Sequence, residues 1–277
     1  MPFFRSASPI SPSSEPAPRL GHPAAALAYK LALLPLLVVQ ALATRRHAQK
    51  LPEATGERAG FVGIVGVEPI RLLIAGDSSA AGVGVADQRE AVAGHLVRTA
   101  HRAIGRPVAW QLRACSGLTT HGVHAMLEAD RPEAADVAIV VTGVNDVVEQ
   151  VSARRALGHR RALAEWLLGE GLARHVVFAP LPPIHRFPLL PEPLRSVMGR
   201  DALRQDQALA EWAATRPDVS HAEIALELHA GVMASDGFHP GEPVYRTCGE
   251  ALGRKVAEVA AALGLDREGV DGSAAVA

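Results

Sequence analysis

Short apolar runs recur along this chain, and stretches with the periodicity of amphipathic helices separate them. The runs are too short for helices and rich in branched residues, which is typical of buried strands. They lie at residues 72–75, 108–114, 137–141 and 175–179, and the second of them alternates in character rather than being apolar throughout. Helices are predicted at residues 90–104, 119–129, 154–168, 194–215 and 242–263. This alternation predicts an α/β fold of three layers, in which a mostly parallel, doubly wound sheet lies between helices.

Chemically useful polar residues follow the first and third of these runs, and a further group lies near the end of the chain. Ser78 comes directly after the first run, at the carboxyl end of a strand, where open parallel sheets place their ligands. A serine hydroxyl is a poor nucleophile until a neutral imidazole takes its proton, and a carboxylate must orient that imidazole. Asp236 and His239 are three residues apart and can meet this need from one loop.

With these groups in place, the sequence resembles the SGNH (GDSL-type) esterase and lipase family. The resemblance covers residues 68–265. It rests on four short blocks, which are Gly76-Asp77-Ser78, Gly117, Gly143-Val144-Asn145-Asp146 and Asp236-Gly237-Phe238-His239. Ser79 stands where many members carry leucine. The resemblance implies a flavodoxin-like arrangement of the sheet and a single catalytic domain.

The resemblance also implies roles for individual residues. Ser78 would be the nucleophile, and Asp236 and His239 would complete a catalytic triad. The N–H groups of Ser78 and Gly117 and the side-chain amide of Asn145 would form the oxyanion hole, which binds the negative oxygen of a tetrahedral intermediate. Ser78 is not surrounded by a Gly-x-Ser-x-Gly elbow, which argues against an α/β-hydrolase.

The sequence therefore predicts a serine hydrolase that cleaves short- to medium-chain carboxylic esters through an acyl-enzyme. It would need no cofactor and no metal, and its substrate would be a small-molecule or lipid ester. The same residues would also serve a carbohydrate or lipid deacetylase, or an acyltransferase. A membrane-tethered binding module without turnover is the alternative outside the enzymes.

A proline-rich segment and a histidine pair are further candidates for function. Prolines recur between residues 180 and 191 and predict a rigid loop after a strand. Ile184 and Phe187 in this loop are candidate acyl contacts, although the loop could equally be packed by its own apolar residues. His121 and His124 have a spacing that metal ligands can use, but no third ligand accompanies them.

Charge and cysteine content exclude several classes of function. The chain has 28 basic and 29 acidic residues and a net charge of -1, so it lacks the excess of basic residues that is typical of nucleic-acid-binding proteins. Cys115 and Cys248 are too few for a disulfide framework and lack the spacing of a zinc site. They are expected to be small core residues, and a bridge between them is conceivable if the protein is exported.

The N-terminal part contains an apolar stretch, residues 31–43, with basic residues on both sides. It suits a signal-peptide core or an interfacial anchor. It is substandard for a spanning helix, which needs about 20 apolar residues, because an extension back to Ala24 would include Lys30 as well as Pro35. An ordinary helix packed on the domain is a further alternative. Membrane contact through residues 31–50 would place the protein in the cell envelope, and otherwise it would be cytoplasmic.

Three segments are expected along the chain. Residues 1–67 would form a leader, and the glycine-rich residues 51–69 would link it to the first strand. Residues 68–265 would form the hydrolase domain, and residues 266–277 an unstructured tail. A chain truncated at about residue 66 is then expected to fold and remain active.

Overall fold

A central β-sheet crosses the computed structural model, which describes residues 23–266. Its strands are β1 (Ala59–Val62), β2 (Ile70–Gly76), β3 (Val108–Ala114), β4 (Val137–Val141), β5 (His175–Phe178) and β6 (Val219–His221). Within the described residues the sheet has six strands in the spatial order β1-β3-β2-β4-β5-β6. β1 runs antiparallel to β3, and all other neighbours are parallel. The mostly parallel, doubly wound sheet that the sequence predicts is confirmed.

Helices cover both faces of the sheet. They are α1 (Pro23–Ala32), α2 (Leu34–His47), α3 (Val92–Ile104), α4 (Thr120–Ala129), α5 (Val144–Val148), α6 (Ala153–Gly169), α7 (Leu194–Ala213) and α8 (Glu242–Ala262). Apolar side chains of α3 and α8 pack on one face, and those of α4, α6 and α7 pack on the other. The three-layer architecture follows from these two cores.

The central strand β2 shows why the sheet is buried on both faces. Ile70, Leu72 and Ile74 belong to the core under α3 and α8, whereas Leu73 and Ala75 belong to the opposite core. Successive side chains of a strand point to opposite faces, so a strand between two helical layers must be apolar at every position. A continuous apolar run, rather than alternation, is therefore the sequence pattern of this strand.

The stretch expected as a linker, residues 51–69, contains β1, which pairs with β3 along its four residues. β1 is an edge strand with mostly exposed side chains, so neither apolar alternation nor a buried run marks it in the sequence. A truncation at residue 66 would remove this strand and expose the edge of β3. Residues 51–69 are therefore more than a linker, and the folding and activity of a chain truncated at about residue 66 stay a prediction.

The apolar N-terminal stretch lies in α1 and α2, and α2 packs on the domain. Leu37 is buried in a cluster that includes Leu194 and Val197 of α7. Gln40 donates to the backbone carbonyl of Glu192 at 2.6 Å, and Lys30 pairs with Asp201 at 2.7 Å. No helix within residues 23–266 is long and apolar enough to span a bilayer. Residues 1–22 of the predicted leader and residues 267–277 of the predicted tail lie outside the described residues.

Candidate active site

Three strand ends meet at the carboxyl edge of the sheet, and glycine makes their approach feasible. The Cys115 N–H donates to the carbonyl of Gly76 at 3.3 Å, and the Asp77 N–H donates to that of Val141 at 3.1 Å. A side chain at Gly76 would collide with the Val141 carbonyl oxygen. The loops after β2, β3 and β4 therefore leave the sheet side by side.

Ser78, His239 and Asp236 form a continuous hydrogen-bonded line. Ser78 Oγ lies 3.1 Å from His239 Nε2, and His239 Nδ1 lies 2.6 Å from Asp236 Oδ2. Ser78 is 9% exposed and Asp236 7%, whereas the His239 side chain is 19% exposed. With its proton on Nδ1, His239 donates to Asp236 and accepts from Ser78. This is the geometry in which an imidazole can take a serine proton.

The loop that carries Asp236 and His239 is held by its own backbone. The N–H groups of Phe238 and His239 both donate to Asp236 Oδ1 at 2.9 Å. Burial raises the pKa of Asp236, but the hydrogen bonds from His239 and Phe238 outweigh burial, and the pKa lies below its usual value. Asp236 is therefore ionised when it faces the imidazole, as an orienting carboxylate must be.

Gly117 and Asn145 lie on the two loops that flank Ser78. Gly117 follows β3 in the left-handed region, with φ 84°, and no atom would meet a Cβ there within 4 Å. The Asn145 amide donates to the carbonyl of Leu118 at 3.0 Å, which links the loop after β4 to the loop after β3. The backbone N–H of Gly117 thus lies in an open loop that Asn145 borders.

A buried network under these loops fixes their positions. Asp146 is fully buried, and its two carboxylate oxygens accept from the N–H and the hydroxyl of Thr120 at 3.2 and 2.5 Å. The Arg160 side chain, which is also fully buried, lies 3.5 Å from Asp146. Gly143 has φ 127°, and a Cβ there would collide with the Arg160 guanidinium. Gly143 and Asp146 therefore position Asn145 through the backbone of this loop.

The sequence matches a known protein family. A model of the GDSL-like lipase/acylhydrolase family matches residues 74–247, a range that contains Ser78, Asn145 and His239. The chain belongs to this family. The resemblance that the four sequence blocks indicate is confirmed, and the protein is a hydrolase of the GDSL type. No curated protein matches the sequence.

Solved structures show the same fold at low identity. A lipase from a goat rumen metagenome is 17% identical, with a TM-score of 0.57 over 68% of this chain and 97% of its own. A variant of an acetyl-xylooligosaccharide esterase from Geobacillus is 19% identical, with a TM-score of 0.50 over 68% and 94%. A lipolytic G-D-S-L family protein from Veillonella parvula is 14% identical, with a TM-score of 0.50 over 66% and 95%. The hydrolase shares its fold with all three.

A largely apolar cavity in this GDSL-type hydrolase opens beside Ser78 and His239. It lies between the ends of β4 and β5 and the first turns of α8, and its walls include Val141, Ala179, Leu226, Val244, Cys248 and Leu252. Burial raises the pKa of the Cys248 thiol to about 12, so the thiol is a neutral part of this wall. An apolar group bound to Ser78 can enter the cavity.

The two predicted acyl contacts differ in their positions. Phe187 lines the cavity and packs edge-on against Phe238, with ring centroids 5.2 Å apart. Ile184 has no exposed surface and packs in the core beneath the proline-rich loop, and it is not among the residues that line the cavity. The interpretation of Ile184 as an acyl contact is corrected, because the short helical turn Ile184–Arg186 directs its side chain inward.

The remaining candidates from the sequence are the histidine pair on α4 and the two cysteines. The His121 ring packs near the ring of His159, and the His124 ring packs near that of Trp166. His159 and Trp166 both lie on α6. Within residues 23–266, no three histidine, cysteine or acidic side chains converge as metal ligands do. Cys115 is exposed and Cys248 half-buried, and both are free thiols.

Sequence reasoning missed two residues that hold the site. The Tyr245 hydroxyl donates to the carbonyl of Val83 at 2.6 Å and so fixes the end of the loop that begins at Ser78. Glu53 accepts hydrogen bonds from Ser116, next to Gly117. Both partners are far away in the sequence, and no local pattern marks either contact.

Proposed function

We propose that this protein hydrolyses carboxylic esters through an acyl-enzyme on Ser78. The observation that carries the proposal is the hydrogen-bonded line of Ser78, His239 and Asp236 at the mouth of an apolar cavity. A nucleophile, its base and a pocket for an acyl chain lie together there. Family membership supports hydrolysis, and this geometry supports an ester as the substrate.

In acylation, Ser78 Oγ forms a bond to the ester carbonyl carbon while His239 Nε2 takes the hydroxyl proton. The carbonyl oxygen becomes an anion, which the N–H groups of Ser78 and Gly117 and the amide of Asn145 bind. When the carbon–oxygen bond to the leaving alcohol breaks, His239 returns the proton to that oxygen. Asp236 stabilises the imidazolium between the two transfers.

In deacylation, a water molecule replaces the alcohol. His239 takes a proton from the water, whose oxygen attacks the acyl carbon, and the proton then passes to Ser78 Oγ as the bond to serine breaks. The products are a carboxylic acid and the free enzyme. The same donors bind the second oxyanion, so no further group is required.

The cavity supports an acyl group of short to medium length. Val244, Cys248 and Leu252 lie on one face of α8 and all line the cavity. Eight residues of helix span about 12 Å at 1.5 Å per residue. A linear acyl chain that follows this wall would remove apolar surface from water along its length, which contributes about 0.8 kcal/mol per methylene.

Hydrolysis of p-nitrophenyl esters of increasing acyl length by the purified full chain tests the proposal. We expect turnover that is highest for a short or medium acyl group, and a loss of about a thousandfold or more in Ser78→Ala. A folded wild-type protein that cleaves none of the esters would contradict the proposal. Strict preference for acetyl would instead favour the deacetylase, and product transfer to an added alcohol would favour the acyltransferase.

A further inference from the structure

The segment just before β1, residues 53–58, makes specific contacts with the loop that carries Gly117. Glu53 Oε1 accepts from both the N–H and the hydroxyl of Ser116, each at 2.7 Å. Glu53 Oε2 accepts from the Arg58 guanidinium at 2.5 Å, and Arg58 donates to the carbonyl of Ala114 at 2.8 Å. The end of β3 and the next two residues are thus tied to one carboxylate and its paired arginine.

The same segment also holds the loop that begins at Ser78. The Ala54 N–H donates to the carbonyl of Ala81 at 3.2 Å, and the Thr55 N–H donates to that of Ala86 at 2.9 Å. The buried Gln88 amide links this segment to the loop, because it donates to the carbonyls of Ala54 and Ala81 at 3.2 and 2.9 Å. One segment therefore contacts both loops that would supply the backbone donors of the oxyanion hole.

Few contacts restrain the backbone of Gly117 itself. Its loop is exposed, its φ of 84° is open mainly to glycine, and a Cβ would meet nothing within 4 Å. The direction of the Gly117 N–H depends on the peptide unit between Ser116 and Gly117. Glu53 binds Ser116 at two atoms and so fixes the residue on which that peptide depends.

We propose that Glu53 is a positioning residue that aims the Gly117 N–H at the oxyanion. The proposal rests on the proposed function, since it assigns Gly117 to the oxyanion hole. Preorganised donors cost no reorganisation during the reaction, whereas a mobile donor must be ordered in each turnover. Arg58 also contributes, because its positive charge offsets the negative charge of Glu53 near the site where the oxyanion forms.

The charge state of Glu53 agrees with this assignment. Burial raises the pKa of Glu53, but hydrogen bonds from Ser116 and Arg58 outweigh burial and hold the pKa below its usual value. The carboxylate is thus ionised at neutral pH and accepts from Ser116 at full strength.

Steady-state kinetics of Glu53→Ala in the full chain test the proposal, with Glu57→Ala as the matched control. Glu57 lies in the same segment and is exposed, and it has no role in the site. We expect Glu53→Ala to lower kcat about tenfold to a hundredfold on a short ester with KM little changed, since the oxyanion exists only in the transition state. Glu53→Gln keeps an acceptor oxygen for Ser116 and should lie between Glu53→Ala and the wild type.

Amide hydrogen exchange at residues 115–118 supplies a readout that does not depend on turnover. It should be faster in Glu53→Ala than in Glu57→Ala. Wild-type kcat in folded Glu53→Ala, or a loss that appears in KM alone, would overturn the proposal. If Glu53→Ala fails to fold, Glu53→Gln decides, and unchanged exchange and kcat in that variant would overturn the proposal as well. A wild type without esterase activity would overturn the proposed function instead, and exchange would still show whether Glu53 orders the loop.

Discussion

At the scale of single residues, the carboxyl group of Asp77 is the most unusual group beside Ser78. Asp77 is 1% exposed, and the backbone N–H groups of Ser79 and Gly143 face its carboxyl group. Its Oδ1 accepts from the Ser79 N–H at 3.0 Å. Burial raises the pKa of Asp77 from 3.8 to about 7, and the Ser79 hydrogen bond and the charge of His239 lower it only in part. A neutral Asp77 is therefore favoured in the folded protein below about pH 7.

This pKa predicts a pH-dependent stability difference between the wild type and Asp77→Asn. Between pH 4 and 7 the folded protein retains a proton on Asp77 that the unfolded chain has lost. The contribution of Asp77 to the free energy of unfolding therefore falls as the pH rises, by up to about 1.4 kcal/mol per unit. Asparagine keeps an oxygen for Ser79 and does not titrate.

Urea unfolding of both proteins from pH 5 to 8 measures this difference. Burial lowers the pKa of His95, His124, His159 and His175, and these give stability that is lost as the pH falls, but both proteins share them. Their effect cancels in the difference. Equal slopes for the wild type and Asp77→Asn would show that Asp77 does not hold its proton in the folded state.

Asn145→Ala tests the side-chain donor of the proposed oxyanion hole. We expect kcat to fall about a hundredfold to a thousandfold with KM nearly unchanged, because the amide binds charge that exists only in the transition state. Thermal unfolding serves as the control, since Asn145 also donates to Leu118. An unchanged kcat in the folded variant would remove Asn145 from the oxyanion hole.

The residue positions that the sequence predicts well are those set by short stretches of chain. Asp236 and His239 meet because one loop of four residues carries both. Ile184 was misplaced because its direction depends on how the proline-rich loop folds back on the core. Glu53 is 63 residues from Ser116, so only the path of β1 beside β3 brings the two together.

At the scale of elements, α8 connects the loop of His239 to the depth of the cavity. Its side chains at Val244, Cys248 and Leu252 recur every four residues and form one wall. β4, with its buried apolar run, and β3, whose residues alternate in character, both begin and end where the sequence predicts. The edge strands β1 and β6 are not predicted from the sequence. Exposure to solvent weakens the apolar pattern in such elements.

Cys248→Phe should shorten the acyl chain that the enzyme accepts. A phenyl ring at this point of α8 would fill the cavity beyond Val244, so kcat/KM should fall about tenfold or more for a medium-chain ester and little for an acetate. Thr247→Phe adds the same ring to the exposed side of α8 and is the control. The measurement is the ratio of kcat/KM for the medium-chain ester to kcat/KM for the acetate in each variant. An unchanged ratio would place the acyl group outside this cavity.

At the scale of the whole molecule, α1 and α2 present an apolar and basic surface. Apolar side chains remain exposed on these helices, namely Leu31, Leu34, Leu36, Val38, Val39 and Leu42. Residues 23–50 include Lys30, Arg45, Arg46 and Lys50 and no acidic residue. Gln49, just beyond α2, contacts Ser235 at 3.0 Å, next to Asp236. This surface therefore adjoins the loop that carries His239.

We propose that this surface binds anionic lipid. Co-sedimentation with phosphatidylserine vesicles should retain the full chain, and vesicles of neutral lipid should retain less, because apolar contact and charge act together. Arg45→Gln with Arg46→Gln should weaken the binding, whereas Arg254→Gln, on the exposed side of α8, should not. Equal recovery with and without vesicles would contradict the proposal and leave the ester hydrolysis unaffected.

The central claim is that Ser78 is the nucleophile that His239 activates, and a fluorophosphonate tests it most directly. Mass spectrometry of the folded full chain should show one adduct, and peptide mapping should place it on Ser78 rather than on the adjacent Ser79. Labelling should be far slower in His239→Ala, since the serine then lacks its base. An adduct on another residue, or none on the folded wild type, would contradict the account.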